Sequence, residues 1–151
     1  MTQQLQTPPG LMPYLSVRDA NRAVAFYTEA FGATEVYLIR ESSGQVAHAE
    51  LAINGGRMML SEEYPDYGSV GPETLGGTPV SLTLYVPDAD AAVDRAVAAG
   101  ATVERPAADQ FFGCRTAWLK DPFGHRWAVQ QKLEEVAPEE IQRRFDAMMG
   151  G

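Results

Sequence analysis

Two stretches of the chain repeat each other. "LSVRDANRAV" begins at Leu15 and "LYVPDADAAV" at Leu84, and they agree at Leu, Val, Asp, Ala and the closing Ala-Val. The agreement resumes as "GATEV" at 32–36 and "GATVE" at 100–104, with the interval one residue shorter in the second copy. Two matches in the same order imply two similar supersecondary units packed on each other. At 151 residues the chain is long enough for one core and short for two independent ones, so the copies belong to a single domain.

Each copy spells the same elements. A strand ends at Val17 or Val86, and Asp19 or Asp88 then stands where its carboxylate can accept the free N–H groups of a first helical turn. The first predicted helix carries Ala23, Val24, Tyr27 and Phe31 on one face, and the second Ala92, Val93, Ala96 and Val97. Gly32 and Gly100 close these helices. Strands are expected over 34–41, 46–53 and 57–62, and again over 102–105, 114–119 and 125–131. "NGG" at 54–56 reads as a hairpin turn, and Pro122 and Gly124 in "KDPFG" as another.

The fold class is therefore α+β, with two βαβββ repeats over about 10–62 and 80–133. The linker at 63–79, rich in Gly, Pro and Tyr, is either a cover for a site or a mobile connection. A last helix is expected over 138–149, opened by Pro138, with Glu139 and Glu140 at its start. Its apolar stripe of Ile141, Phe145 and Met148 packs on its own domain or across a dimer.

A net charge of −8 and a pI near 4.7 argue against nucleic acid or an anionic membrane surface as partner. The single cysteine, Cys114, excludes an internal disulfide. With His48 and His125 the only imidazoles, a three-histidine metal site is excluded too. No apolar run approaches the ~20 residues of a membrane span, and a cytoplasmic location is expected. Cys114 reads as a buried, inert thiol.

"DANRAVAFYTEAFGA" after the first strand and "DPFGHRW" entering the last resemble the vicinal oxygen chelate superfamily. That group includes glyoxalase I, extradiol dioxygenases and the fosfomycin and bleomycin resistance proteins. "DQFFGCRTAWLKDPFGHRWAV" followed by "APEEIQRR" is most similar to its PhnB-like branch. The resemblance implies a curved mixed-sheet cleft that, in the family's enzymes, holds one divalent metal through ligands on the first and fourth strands of each unit. Carried over, those positions are Met12, Leu60 (or Glu62 if the register of that strand slips by two), Ser81 and Ala128. A thioether, an isobutyl, a hydroxyl and a methyl do not make a hard-metal site, so neither the metal nor another cofactor is expected.

Alternation around these positions assigns the cleft face. Met12, Tyr14 and Ser16 come from the first strand, Met58, Leu60 and Glu62 from the fourth, Ser81, Thr83 and Tyr85 from the fifth, and Arg126, Ala128 and Gln130 from the last. Phe111 and Phe112 in "DQFFG" border it by resemblance. Trp118 and Trp127 read as core, and His125 as a brace for its turn on the side away from the cleft. His48 and Glu50 share a face and, with Glu62, offer an alternative His/Glu/Glu donor set.

The leading expectation is a non-catalytic small-molecule binding protein of the bleomycin-resistance type, and hence a possible antibiotic-resistance role. It would sequester an aromatic or cationic ligand, as a homodimer. The alternative is an enzyme of the same superfamily: a metal-dependent lyase or dioxygenase, or a metal-free isomerase using His48 and Glu50. A vestigial cleft is the third possibility.

Overall fold

The computed structural model describes residues 7, 8 and 10–150. The first unit runs β1 (Tyr14–Val17), α1 (Ala20–Phe31), β2 (Thr34–Arg40), β3 (Val46–Ile53) and β4 (Gly56–Glu62). A 3-10 turn (Pro65–Tyr67) and the short helix α2 (Pro72–Leu75) occupy the linker. The second unit runs β5 (Ser81–Tyr85), α3 (Ala89–Ala99), β6 (Thr102–Asp109), β7 (Cys114–Lys120) and β8 (Arg126–Lys132), and α4 (Pro138–Met148) ends the chain. Helix α1 has 12 residues and α3 has 11, which is where the repeat loses its residue.

Each unit forms its own four-stranded mixed sheet, ordered β1-β4-β3-β2 and β5-β8-β7-β6. The first strand of each unit pairs in parallel with the last, and the remaining pairs are antiparallel. Helices α1 and α3 pack on each other and on the sheets. This leaves each sheet one face free of helices, called its open face below. Edge strands β1 and β5 lie toward each other across a hollow of about 280 Å³ lined by Pro13, Met58, Leu82, Leu84 and Trp127. Asn54 at the β3–β4 turn donates to the Tyr85 carbonyl across that gap (2.9 Å).

The core joins both units. Phe26, Tyr27 and Phe31 of α1 meet Phe123 and Trp127 of the second unit in edge-on and tilted contacts, with centroids 4.8–6.2 Å apart. The apolar face of α3 follows Ala89, Ala92, Val93 and Ala96, whereas Val97 is 45% exposed, contrary to its place in the expected stripe. The 100° step from Ala96 already carries Val97 past the edge of the narrow, alanine-lined contact with α1. Helix α4 buries no residue. It rests on the second unit through Phe145 against Phe111 (5.8 Å) and Arg144 donating to the Phe111 carbonyl (3.0 Å).

The linker is tied to the first unit. Glu63 Oε1 accepts from the Gly71 amide (2.8 Å) and the Thr74 hydroxyl (2.7 Å), and that hydroxyl accepts from Arg18 (2.9 Å). The Thr74 hydrogen bond, then the Gly71 amide and Arg18, hold the Glu63 carboxyl below its ordinary value. A depressed carboxylate contributes stability above its unfolded pKa, and that contribution is lost as pH falls through the folded value. Hydrogen exchange of the 64–79 amides is therefore expected to quicken as pH drops below about 4.5, after correction for intrinsic exchange. Glu63→Gln reproduces the quickening at neutral pH; an unchanged pattern in that variant overturns the assignment.

Candidate functional site

Strand register fixes what the open faces carry. Leu15 and Val17 are buried against the helices, so Tyr14 and Ser16 stand on the open face of β1. In the second sheet Leu84, Trp127 and Val129 are core, and their alternates Ser81, Thr83, Tyr85, Arg126, Ala128 and Gln130 share the open face.

Strand β4 departs from expectation by one residue. Leu15 pairs with Leu60 and Val17 with Glu62, and Met58 and Leu60 are buried in the core at 3% and 0% exposure. Glu62 also points to the helix side, where its carboxylate accepts the N–H groups of Asp19 (2.8 Å) and Ala20 (2.6 Å) at the start of α1. The open face of β4 is instead Arg57, Met59 and Ser61. The cause is the tight turn at Asn54 and Gly55, both with positive φ. It pairs Ile53 with Gly56, Leu51 with Met58 and Ala49 with Leu60, so Met58 and Leu60 follow the core face of β3.

The same register corrects one of the family's metal positions. Ala128 pairs with Thr83, whose counterpart in the repeat is Tyr14, and Tyr14 pairs with Met59. The positions that the resemblance implies would then be Met12, Met59, Ser81 and Ala128, with Met59 in place of Leu60. Two thioethers, a hydroxyl and a methyl still do not fit a hard divalent cation. The relocated set of His48, Glu50 and Glu62 is not brought together either. Glu62 is on the opposite face, and Glu50, 7% exposed, is ion-paired with Arg57 (2.5 Å). Among the described residues, no three His, Cys, Asp or Glu side chains converge.

Trp118 is the largest departure on the second sheet. Across the β7–β8 hairpin it pairs with Ala128, so it belongs to the open face, while Leu119 takes the buried side. The guanidinium groups of Arg105 and Arg126 each lie 5.5 Å from its ring centroid. With Phe112, Gln110, Thr116 and Gln130 it lines a pocket of about 220 Å³. The Thr116 hydroxyl donates to Gln130 Oε1 (3.1 Å), which leaves the Gln130 amide nitrogen as a donor toward the pocket. Glu104 holds Arg126 (3.0 Å), whereas Arg105 makes no ion pair among the described residues. Phe111 turns instead to Phe145 of α4.

On the first sheet, His48 sits between two phenols. Tyr14 Oη is 2.6 Å from Nδ1 and Tyr37 Oη 3.0 Å from Nε2. His125 belongs to neither group: its Nε2 donates to the Ser16 carbonyl (2.9 Å), bracing the second unit's turn against β1. Cys114 is buried on β7 and free. Trp118, Arg105, Gln110, Thr116 and Tyr37 are site residues the sequence reasoning missed. The short turn at 121–124 was the signal for Trp118, since it sets that residue opposite Ala128.

The sequence profile of the Glyoxalase/Bleomycin resistance protein/Dioxygenase superfamily matches residues 11–129. The chain belongs to that superfamily. Uncharacterized protein Rv0887c of Mycobacterium tuberculosis is 40% identical over 153 aligned residues, covering 99% of this chain and 90% of the relative. The crystal structure of TioX from Micromonospora sp. ML1 superposes with a TM-score of 0.64 at 28% identity, covering 82% of this chain and 100% of that one. The fosfomycin resistance protein FosX of Listeria monocytogenes, at 20% identity and a TM-score of 0.64 over 89% of this chain and 99% of that one, shares the fold. No helix among the described residues is long and apolar enough to cross a membrane.

Proposed function

We propose that this superfamily member is a small-molecule binding protein that takes a compact planar aromatic ligand on the open face of its second sheet, without the family metal. The pocket walled by Trp118 and Phe112 carries this reading. Apolar ring faces with a few placed polar groups are the usual construction of a small-molecule site. Its volume of about 220 Å³ is below the ~300–1,000 Å³ of drug-sized sites, which favours one or two fused rings over an extended molecule.

The donors facing it, the Arg105 guanidinium and the Gln130 amide, favour a ring bearing carbonyl or carboxylate oxygens. They oppose the cationic ligand that formed part of the expectation. Sequestration would be the function, as the resemblance to bleomycin resistance proteins implies. The homodimer belongs to the same reading: Tyr85 is 56% exposed on the open face of β5, area that a second copy would cover. Sedimentation that gives a monomer at all concentrations overturns that part.

The test is a thermal-shift and calorimetric titration with 2-naphthoate, 2-naphthol and 2-naphthylmethylammonium. Naphthoate is expected to bind best and raise the melting temperature by mass action. Trp118→Ala weakens it about tenfold, ~1.4 kcal/mol, and EDTA changes neither binding nor melting. If no ring shifts the melting temperature, or if Trp118→Ala responds as the wild type does, the reading is wrong.

A further inference from the structure

Independently of the Trp118 pocket, we infer that Tyr14, His48 and Tyr37 form a metal-free proton relay able to catalyse keto–enol tautomerisation of a planar, enolisable carbonyl compound. The three residues come from β1, β3 and β2, and register rather than chain proximity brings them together. Both imidazole nitrogens are engaged, Nδ1 with the Tyr14 hydroxyl at 2.6 Å and Nε2 with that of Tyr37 at 3.0 Å. A neutral imidazole has one N–H and one lone pair. One phenol therefore donates to the ring and the other accepts from it. The accepting phenol keeps its own O–H for another partner, and neither hydroxyl has a further hydrogen bond among the described residues. His48 is thereby the centre of a wire with a proton-accepting end and a proton-donating end.

The groups around it leave the wire in place. Glu50, next along the open face of β3, is held by Arg57 and does not reach the ring. Ser61, opposite His48 on β4, gives its hydroxyl hydrogen to the Glu62 carbonyl. Tyr14 is 53% exposed, so its end of the wire is accessible.

The step balances without any external reagent. The phenol that donates to the ring takes a proton from the α-carbon of the bound compound while its own proton passes to the imidazole lone pair. The N–H on the other side of the ring passes to the second phenol, whose original proton goes to the carbonyl oxygen. Every bond that breaks is matched by one that forms, nothing is oxidised or reduced, and the imidazole ends in its other tautomer. The reverse reaction, or exchange with water, resets it. Ketonisation of an enol runs the same path backward.

The probe is phenylpyruvate, with enol loss followed by ultraviolet absorbance in EDTA-treated protein against an equal concentration of free imidazole. General acid–base catalysis by positioned groups is typically worth 10²–10⁴-fold, and an acceleration of at least about 100-fold is expected. Tyr14→Phe and Tyr37→Phe, which keep the rings, each lower it at least about tenfold, and His48→Gln abolishes it. Because the phenylalanine variants preserve packing, they keep the test decisive even if His48→Gln fails to fold. In ¹⁵N spectra of a His125→Gln background, both His48 nitrogens are expected at hydrogen-bonded positions that move in the phenylalanine variants. A wild-type rate no greater than that of imidazole, or full activity in both phenylalanine variants, overturns the relay. Naphthoate binding is unaffected by either result, so this inference and the aromatic pocket fail separately.

Discussion

Asp121→Ala is expected to remove about 4 kcal/mol of folding stability in urea titrations, enough to unfold a marginal domain. Asp121 is 4% exposed and is the acceptor at the centre of the second unit's turn. One oxygen takes the amides of Phe123 (2.9 Å) and His125 (3.0 Å), closing the turn; the other takes the Tyr27 hydroxyl and the Trp127 indole N–H (2.9 Å). Tyr27 is fully buried on α1, so this carboxylate fastens the first unit's helix to the second unit's last hairpin. Burial, then the charge of Asp121 and the hydrogen bond to it, push the Tyr27 phenol well above its ordinary value, which keeps it a neutral donor. Removing the carboxylate leaves these donors buried and unpaired, and that desolvation sets the magnitude. Asp121→Asn keeps the turn-closing oxygen but presents an NH₂ to the indole N–H, and about 2 kcal/mol is expected. Tyr27→Phe, which removes one donor and leaves the acceptor satisfied by the others, costs about 1 kcal/mol. An alanine variant within about 1 kcal/mol of the wild type would show that the units do not depend on this junction.

The internal repeat makes the architecture legible in the sequence itself. Once Val17 and Val86 are set as core, alternation alone puts Tyr14, Ser16, Thr83 and Tyr85 on the other face, and Ala128 and Gln130 follow by the parallel pairing. Strand β4 was misread because "RMML" carries apolar residues on both faces and hydrophobicity does not choose between them. The choice was available in the neighbouring turn. Asn54-Gly55 as a two-residue connection forces Met58 opposite Leu51, which alternates with His48 and Glu50 and so faces the core. Trp118 was lost in the same way, its bulk outweighing the register that the "DPFG" turn imposes. The Tyr14–His48–Tyr37 cluster was not legible, because it depends on how three strands are staggered and β2 carries register shifts that no local pattern encodes. The junction of Tyr27 and Asp121, 94 positions apart, is likewise a product of the packing of the two units.

Gly113→Ala is expected to destabilise the domain by about 2–3 kcal/mol and, in the same variant, to loosen the aromatic pocket and the C-terminal helix together. Gly113 has φ +88°, and a Cβ there would lie 2.8 Å from the Glu134 carbonyl oxygen and 2.8 Å from Val136 Cγ2. Its own carbonyl accepts the amides of Leu133 (2.8 Å) and Glu134 (3.2 Å). The chain leaving β8 is thereby fastened to the loop that carries Phe111 and Phe112. Arg144 on α4 ties the same two segments, donating to the Phe111 carbonyl (3.0 Å) and to Glu134 (2.8 Å). A methyl group at 113 pushes these segments apart at their closest approach. Phe112 then loses its fixed position in the pocket wall, and α4, which buries no residue of its own, loses its footing. Faster hydrogen exchange through 133–148 and a matching loss of 2-naphthoate affinity are the expected signature. Gly44→Ala is the control for backbone strain alone: its φ is +92° but nothing lies within 4 Å of the added methyl. It should cost about 1 kcal/mol and leave both α4 and the pocket unchanged. If the two variants behave alike, the loop and the terminal helix are not mechanically joined, and the pocket wall is held by Phe112 packing alone.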